Sequence, residues 1–196
     1  MNLSITLISD IICPWCYVGK KRLETAIQEL NLEGEVVLDI SPYQLYPDTP
    51  LEGRSLKSFG KKGHKSTLTA AGEQIGISFR WDLIQNVPNT LDMHQRLMHI
   101  PAAEHRWEAK GSLLEGYFCA GSDLTNEENV RALLLPFENK VEHDSVAVGH
   151  GTIFQEAINR NITAVPSFIL DGEHHITGAM EKQQWVQFLK RRFQVN

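Results

Sequence analysis

The sequence predicts an α/β protein in which a βαβ unit and a ββα unit are separated by a long helical insertion. Three observations carry this expectation. An apolar run near the start is followed at once by a helix-period pattern and a second apolar run. The middle of the chain places apolar residues at helical spacing between capping residues and glycines. Near the end, two short strand-like runs flank Asp171-Gly172, and a last amphipathic segment follows.

Leu3, Ile5, Leu7 and Ile8 combine alternation with continuous apolarity, as a strand buried on both faces requires. The text "DIICPWCY" comes next, with two of the three cysteines. Pro14 suits a first helical position, where its missing N–H has no partner to lose. Val18, Leu23, Ile27 and Leu30 continue at helical spacing until Asn31 and Gly34 stop the helix. Val36, Val37, Leu38 and Ile40 form the second strand, ended by Pro42. The cysteine pair therefore sits at the strand-to-helix junction of a βαβ unit.

From Pro47 to about Lys65 the chain reads as an irregular connection. Its "GKKG" at 60–63 lacks the GxxxxGK[ST] spacing of a phosphate loop. Asn89-Thr90 should cap a helix carrying Leu91, His94, Leu97 and Met98. Trp107, Leu114 and Phe118 mark another, closed by Gly121. Thr125 and Glu128 are spaced as a capping box for a further helix that Pro136 should limit. Ile153, Phe154, Ala157 and Ile158 mark one ending near Asn161. Strands are expected over Ser167–Leu170 and near His175–Thr177, and Trp185, Phe188 and Leu189 define the apolar face of the last helix.

Two thiols at this spacing can be a redox couple, half of a metal site, or two small core residues. A zinc site would need two further ligands, and no second CxxC or CxxH is present, so no metal is expected. Pro14 between the cysteines, and the strand-to-helix junction around them, argue against an inert pair. A redox couple needs thiolate, and a helix N-terminus favours the anion: thiols in CxxC settings can fall from about 8.5 to roughly 3.5–7.5. On this reading Cys13 is the exposed attacking thiol and Cys16, one turn on, the more buried resolving thiol. Trp15 lies over the sulfurs as part of the docking surface.

Other candidates receive plainer readings. Cys119 is expected to be a small buried apolar residue. His94 should be a satisfied core or cleft histidine, His174 and His175 should be solvent-facing or strand-edge residues, and Lys20 and Lys21 should form a solvated helix face. A formal net charge of -5 supplies no basic bias toward nucleic acid or anionic lipid. The opening "MNLSITLISD" has no basic residue before its apolar run and does not read as a signal peptide, and no apolar segment is long enough to span a bilayer. A cytoplasmic protein is expected, where a close cysteine pair is chemistry more often than a structural crosslink.

"SDIICPWCYVGKKRLE", "AVPSFIL" and "ITGAM", with Asn89, Thr90 and His94 between them, resemble the DsbA superfamily of thiol–disulfide oxidoreductases, in particular its FrnE-like cytosolic branch. The resemblance implies a thioredoxin fold interrupted by a helical domain, here with a thioredoxin-like domain at 1–48 and 145–196 and the helical insertion at 49–144. It implies catalytic Cys13 and Cys16, and substrate binding by Pro14, Trp15, Val165 and Pro166, with Pro166 cis beside the sulfurs. The expected partner is a protein or small molecule carrying a disulfide or dithiol. No cofactor is implied, although glutathione is a candidate redox partner. Two rivals share the architecture: a glutathione-dependent transferase or isomerase of the kappa or hydroxychromene-carboxylate kind, whose members carry a single Ser or Cys at the attacking position, and a non-catalytic peptide-holding chaperone.

Overall fold

A computed structural model describes residues 2–59, 65–138 and 153–195. Its spine is β1 (Leu3–Ser9), which pairs in parallel with β2 (Val36–Pro42) and antiparallel with β5 (Ser167–Leu170). β6 (His174–Thr177) completes the order β2-β1-β5-β6. The continuous apolarity of β1 follows from this central place. Leu3, Ile5 and Leu7 face the main core, while Ile8 packs on the other side with Ile169, Ala157 and Ile162. The β5–β6 connection runs over three residues between the paired Leu170 and His174; it puts Asp171 and Gly172 at φ 49° and 75°, and the Glu173 N–H closes the turn on the Leu170 carbonyl at 3.1 Å.

On the main-core side lie α1 (Pro14–Glu29) and α7 (Lys182–Phe193). Gly19 lets α1 approach the β5 end: a Cβ there would come within 3.2 Å of both Phe168 Cζ and Pro166 Cγ. Arg22 donates to the Ala179 carbonyl at 2.7 Å and pairs with Glu181, tying α1 to the start of α7. Asn31, at φ 53°, closes α1 as expected.

Between β2 and β5 the described residues add α2 (Lys65–Glu73), α3 (Leu91–Met98), α4 (Ala103–Glu115) and α5 (Glu127–Glu138). A short α6 (Gln155–Asn159) precedes β5. The connection read as irregular contains a small ribbon, β3 (Arg54–Ser55) with β4 (Asn86–Val87), and a 3-10 turn at Leu56–Phe59. The expected boundary between residues 144 and 145, and the 60–63 stretch, lie outside the described residues. Arg106 of α4 joins this region to the sheet through paired contacts to Asp39 of β2 at 2.8 and 2.6 Å, and it also donates to the Ile100 and Pro101 carbonyls.

Two helix signals were misplaced. Asn126, not Thr125, caps α5, accepting from the Glu128 N–H at 2.8 Å, because the Thr125 hydroxyl is engaged by Asp123. Pro136 lies inside α5 instead of ending it: it is on the exposed face, where the carbonyl that loses its donor can turn to water. At the end of α4 the chain widens into a π-type turn over Gly116–Ala120 and stops at Gly121, φ 68°.

At Gly121 the left-handed backbone costs a side-chain-bearing residue about 1–2 kcal/mol, and a Cβ would lie 2.3 Å from Leu83 Cβ. Gly121→Ala should therefore lower unfolding stability by at least about 2 kcal/mol in urea. An unchanged midpoint would contradict this account of the α4 terminus.

Candidate active site

The end of β1 and the start of α1 place the cysteines. Cys13 is the N-cap, with extended backbone (φ -92°, ψ 108°), and its Sγ accepts the Cys16 N–H at 3.4 Å. A sulfur thus occupies the position where a serine or aspartate oxygen ordinarily satisfies a free helix N–H. Pro14 follows at the first helical position. Both thiols are free. Cys16 is fully buried, and Cys13 is 5% exposed, so the expected order of exposure holds, but Cys13 is far more enclosed than an open attacking group. Burial, then the neighbouring Cys13, pushes the Cys16 thiol well above its ordinary value.

The two ends of the chain meet here. The Val165–Pro166 bond is cis, and the Val165 carbonyl lies 3.9 Å from Cys13 Sγ. Pro166 is buried against Gly19, whereas Val165 is half-buried against the small cluster of Ile8, Ala157, Ile162 and Ile169. Pro14 is half-buried and reaches an adjoining cleft. Trp15 is half-buried and packs on the main core.

Beneath the cysteines lies a charged group that sequence reading did not assemble. Asp10, His94 and Lys110 are all fully buried. The Asp10 carboxylate accepts the Ile11 and Leu45 N–H groups at 2.7 and 2.8 Å and lies 3.2 Å from His94 Nε2, while Lys110 Nζ donates to the Ser9 carbonyl at 3.1 Å. Burial pushes the Asp10 carboxyl up, but the His94 hydrogen bond and charge, the Leu45 N–H and the Lys110 charge outweigh it and hold it below the usual carboxylate range. Burial, then the Lys110 charge, holds His94 below its ordinary value against the pull of Asp10. Burial also pulls Lys110 down to about 8, against the attraction of Asp10, Cys16 and Cys13. Near pH 7 the arrangement is a carboxylate, a neutral imidazole donating to it, and an ammonium whose field favours thiolate on Cys16.

His94 was legible as a buried histidine, although only its Nε2 is partnered and its Nδ1 is buried with no hydrogen-bond partner among the described residues; Asp10 and Lys110 were passed over. The available signal was helical register: Lys110 falls on the same buried stripe as Trp107, Leu113 and Leu114. Lys20 repeats the pattern on α1 and corrects the expectation of a solvated face. It is buried, paired with Glu24, with Nζ 4.4 Å from the centre of the Trp107 ring. Lys21 is half-exposed, and His174 and His175 face solvent as expected. Cys119 is only partly buried, its Sγ 3.9 Å from the Tyr17 hydroxyl. Among the described residues no group of three His, Cys, Asp or Glu could hold a metal ion, and no helix is long and apolar enough to cross a membrane.

Lys110 links this site to stability. It deprotonates at about 8 in the folded protein and at 10.5 in an unperturbed chain, so between those values the unfolded chain holds the extra proton and stability rises with pH. Relative to Lys110→Met, the wild type should gain on the order of 3 kcal/mol across that window. Urea unfolding of both proteins in a pH series tests this, and parallel curves would contradict it.

Over residues 4–190 the chain matches the DSBA-like thioredoxin domain. None of the curated proteins matches it. Among solved structures, it is similar to a protein described as a probable DsbA oxidoreductase from Streptomyces coelicolor, with 20% identity, TM-score 0.80, and 100% of this chain and 92% of that one covered. It is also similar to the cytosolic disulfide reductase DsbM from Pseudomonas aeruginosa with GSH, at 10% identity and TM-score 0.68, covering 98% and 100%. A 2-hydroxychromene-2-carboxylate isomerase gives 14% identity and TM-score 0.64, covering 98% and 99%. At such identities the structural likeness establishes the fold. Because the domain match runs through nearly the whole chain, the protein belongs to the DSBA-like thioredoxin domain family.

Proposed function

We propose that the protein is a thiol–disulfide oxidoreductase working through a Cys13/Cys16 dithiol. The observation that carries this reading is the placement of Cys13 Sγ: it caps α1, accepts the Cys16 N–H, and lies beside the Val165 carbonyl. Cys13 thiolate attacks one sulfur of a disulfide, forming a mixed disulfide and expelling the other sulfur as thiolate. Cys16 then loses its proton and attacks Cys13 Sγ. The Cys13–Cys16 disulfide forms and the second substrate thiolate leaves, so the protein loses two electrons and the substrate gains them. Run backwards, the same steps oxidise a dithiol. Lys110 favours the Cys16 thiolate, which burial otherwise opposes.

Every electron comes from the chain's own sulfurs, so the cycle uses no cofactor. Glutathione, present with the DsbM relative, is a chemically suitable thiol to return the pair to its reduced state. Pro14, Trp15, Val165 and Pro166 are assigned to substrate docking around the sulfurs. Residues 49–144 act as an insertion domain on a thioredoxin-like domain of 1–48 and 145–196, and the reaction is placed in the cytoplasm, where transient disulfides are catalytic. The likeness to the isomerase favours a second reading, glutathione-dependent isomerisation or transfer. A resolving thiol at Cys16 has no task in that chemistry, nor in passive peptide holding.

Cys16→Ser should therefore accumulate mixed disulfides through Cys13, and Cys13→Ser should accumulate none. The check is acid-quenched extract separated without reductant, with mass spectrometry for glutathione adducts. A Cys16→Ser protein that keeps wild-type activity and traps neither protein nor glutathione would rule out the dithiol cycle.

A further inference from the structure

We infer that the cleft adjoining Cys13 receives a low-molecular-weight disulfide whose planar apolar body carries an anionic group. This rests on the oxidoreductase reading and names its substrate class.

The cleft, about 430 Å³, starts at Ile12 and Pro14, the residues on either side of Cys13, and extends between Leu68, Trp81 and Phe118. A molecule lying in it therefore has one end against the turn that carries Cys13, whose own side chain is not part of the lining. The volume suits a small ligand, since such sites span roughly 300–1,000 Å³. A folded protein partner fits poorly, because Cys13 is only 5% exposed and a broad surface cannot reach its sulfur.

The walls define the chemistry. Trp81 stacks on Phe79 with ring centres 4.6 Å apart at 13°, and meets Phe118 edge-on at 5.9 Å and 71°, which fixes its plane. Its indole N–H already donates to Thr69 Oγ1 at 2.9 Å, and the Tyr117 hydroxyl donates to the Asn86 carbonyl at 2.8 Å. These walls thus present ring faces and aliphatic surface, with their donors engaged elsewhere, and favour a flat apolar body. Among the described residues lining the cleft, Lys65 alone is charged, with Nζ 5.6 Å from the centre of the Trp81 ring. An anionic substituent next to the stacked ring meets that ammonium, in a protein whose formal net charge is -5.

For such a disulfide, Cys13 thiolate forms a Cys13–S–S–aryl bond and breaks the ligand's S–S bond, releasing one aryl thiolate. Cys16, after giving its proton to solvent, forms the Cys13–Cys16 bond and releases the second. The ligand is the oxidant and takes up two electrons.

The test measures oxidation rates of the reduced full chain by three probes: dithiobis(nitrobenzoate), planar and anionic; dithiodipyridine, planar and neutral; and hydroxyethyl disulfide, small and neutral. Each rate is divided by that of free glutathione with the same probe. The anionic aryl disulfide should lead. In Lys65→Glu its advantage over the neutral aryl disulfide should fall about threefold or more, and in Trp81→Ala the advantage of both aryl probes over hydroxyethyl disulfide should fall about tenfold. Lys65 is exposed, so its variant carries the test even if Trp81→Ala does not fold. If hydroxyethyl disulfide reacts as well as the aryl probes, and Lys65→Glu leaves the ratios alone, the cleft assignment is overturned while the oxidoreductase reading stands. If no probe outpaces its glutathione reference, that reading fails and this inference falls with it.

Discussion

The buried carboxylate of Asp10 sets the terms for the rest of the site. An ionised carboxyl with no solvent exposure is tolerated only when its oxygens are fully supplied with donors, since several kcal/mol of desolvation must be offset. Besides the neighbouring Ile11, the donors come from distant parts of the chain: Leu45 after β2 and His94 on α3, with Lys110 of α4 completing the charge balance. Satisfying one group therefore draws the helical region onto the sheet at the point where the cysteines leave it. Fold and candidate site are assembled by the same contacts.

That arrangement bears on how so enclosed a dithiol would serve the proposed exchange chemistry. Cys16 sits where burial opposes ionisation. Against that burial stands the Lys110 ammonium held at the Ser9 carbonyl, while the helix N-terminus brings the Cys16 N–H to Cys13 Sγ at 3.4 Å. The helical region contributes twice, through Lys110 below the sulfurs and through Trp81 and Phe118 in the wall of the cleft beside them. Arg106, bridging α4 to Asp39 of β2 and to two carbonyls, keeps the elements in register. Gly19 plays the matching part for the C-terminal half, letting α1 close on Pro166 so that the Val165 carbonyl faces Cys13.

Local sequence patterns were reliable where a backbone requirement is itself local. Pro14 at the first turn of α1, the Asp171-Gly172 turn, Asn31 and Gly121 as terminators, and the apolar pattern of β1 all act within a few residues, and the structure uses each as read. The misreadings at Thr125 and Pro136 have a common origin. A competing partner, Asp123, claims the Thr125 hydroxyl, and an outward-facing position relieves Pro136 of the penalty it would carry in a buried turn. Neither circumstance is visible until the third dimension says which face is wet.

What the sequence by itself determined is the order of the four strands of the main sheet and of the helices flanking them, the cysteine pair at a strand-to-helix junction, and a late Val-Pro ahead of a strand, since each follows from hydrophobic periodicity and turn chemistry acting over short spans. Only the tertiary structure decided that Asp10, His94 and Lys110 form one buried group, that Lys20 is enclosed against Trp107, and that an aromatic cleft opens next to Cys13. The physical reason is range. A lysine on a helix looks solvated by its own composition, and whether it is depends on which element, dozens of residues away, covers that face and brings the opposite charge to meet it.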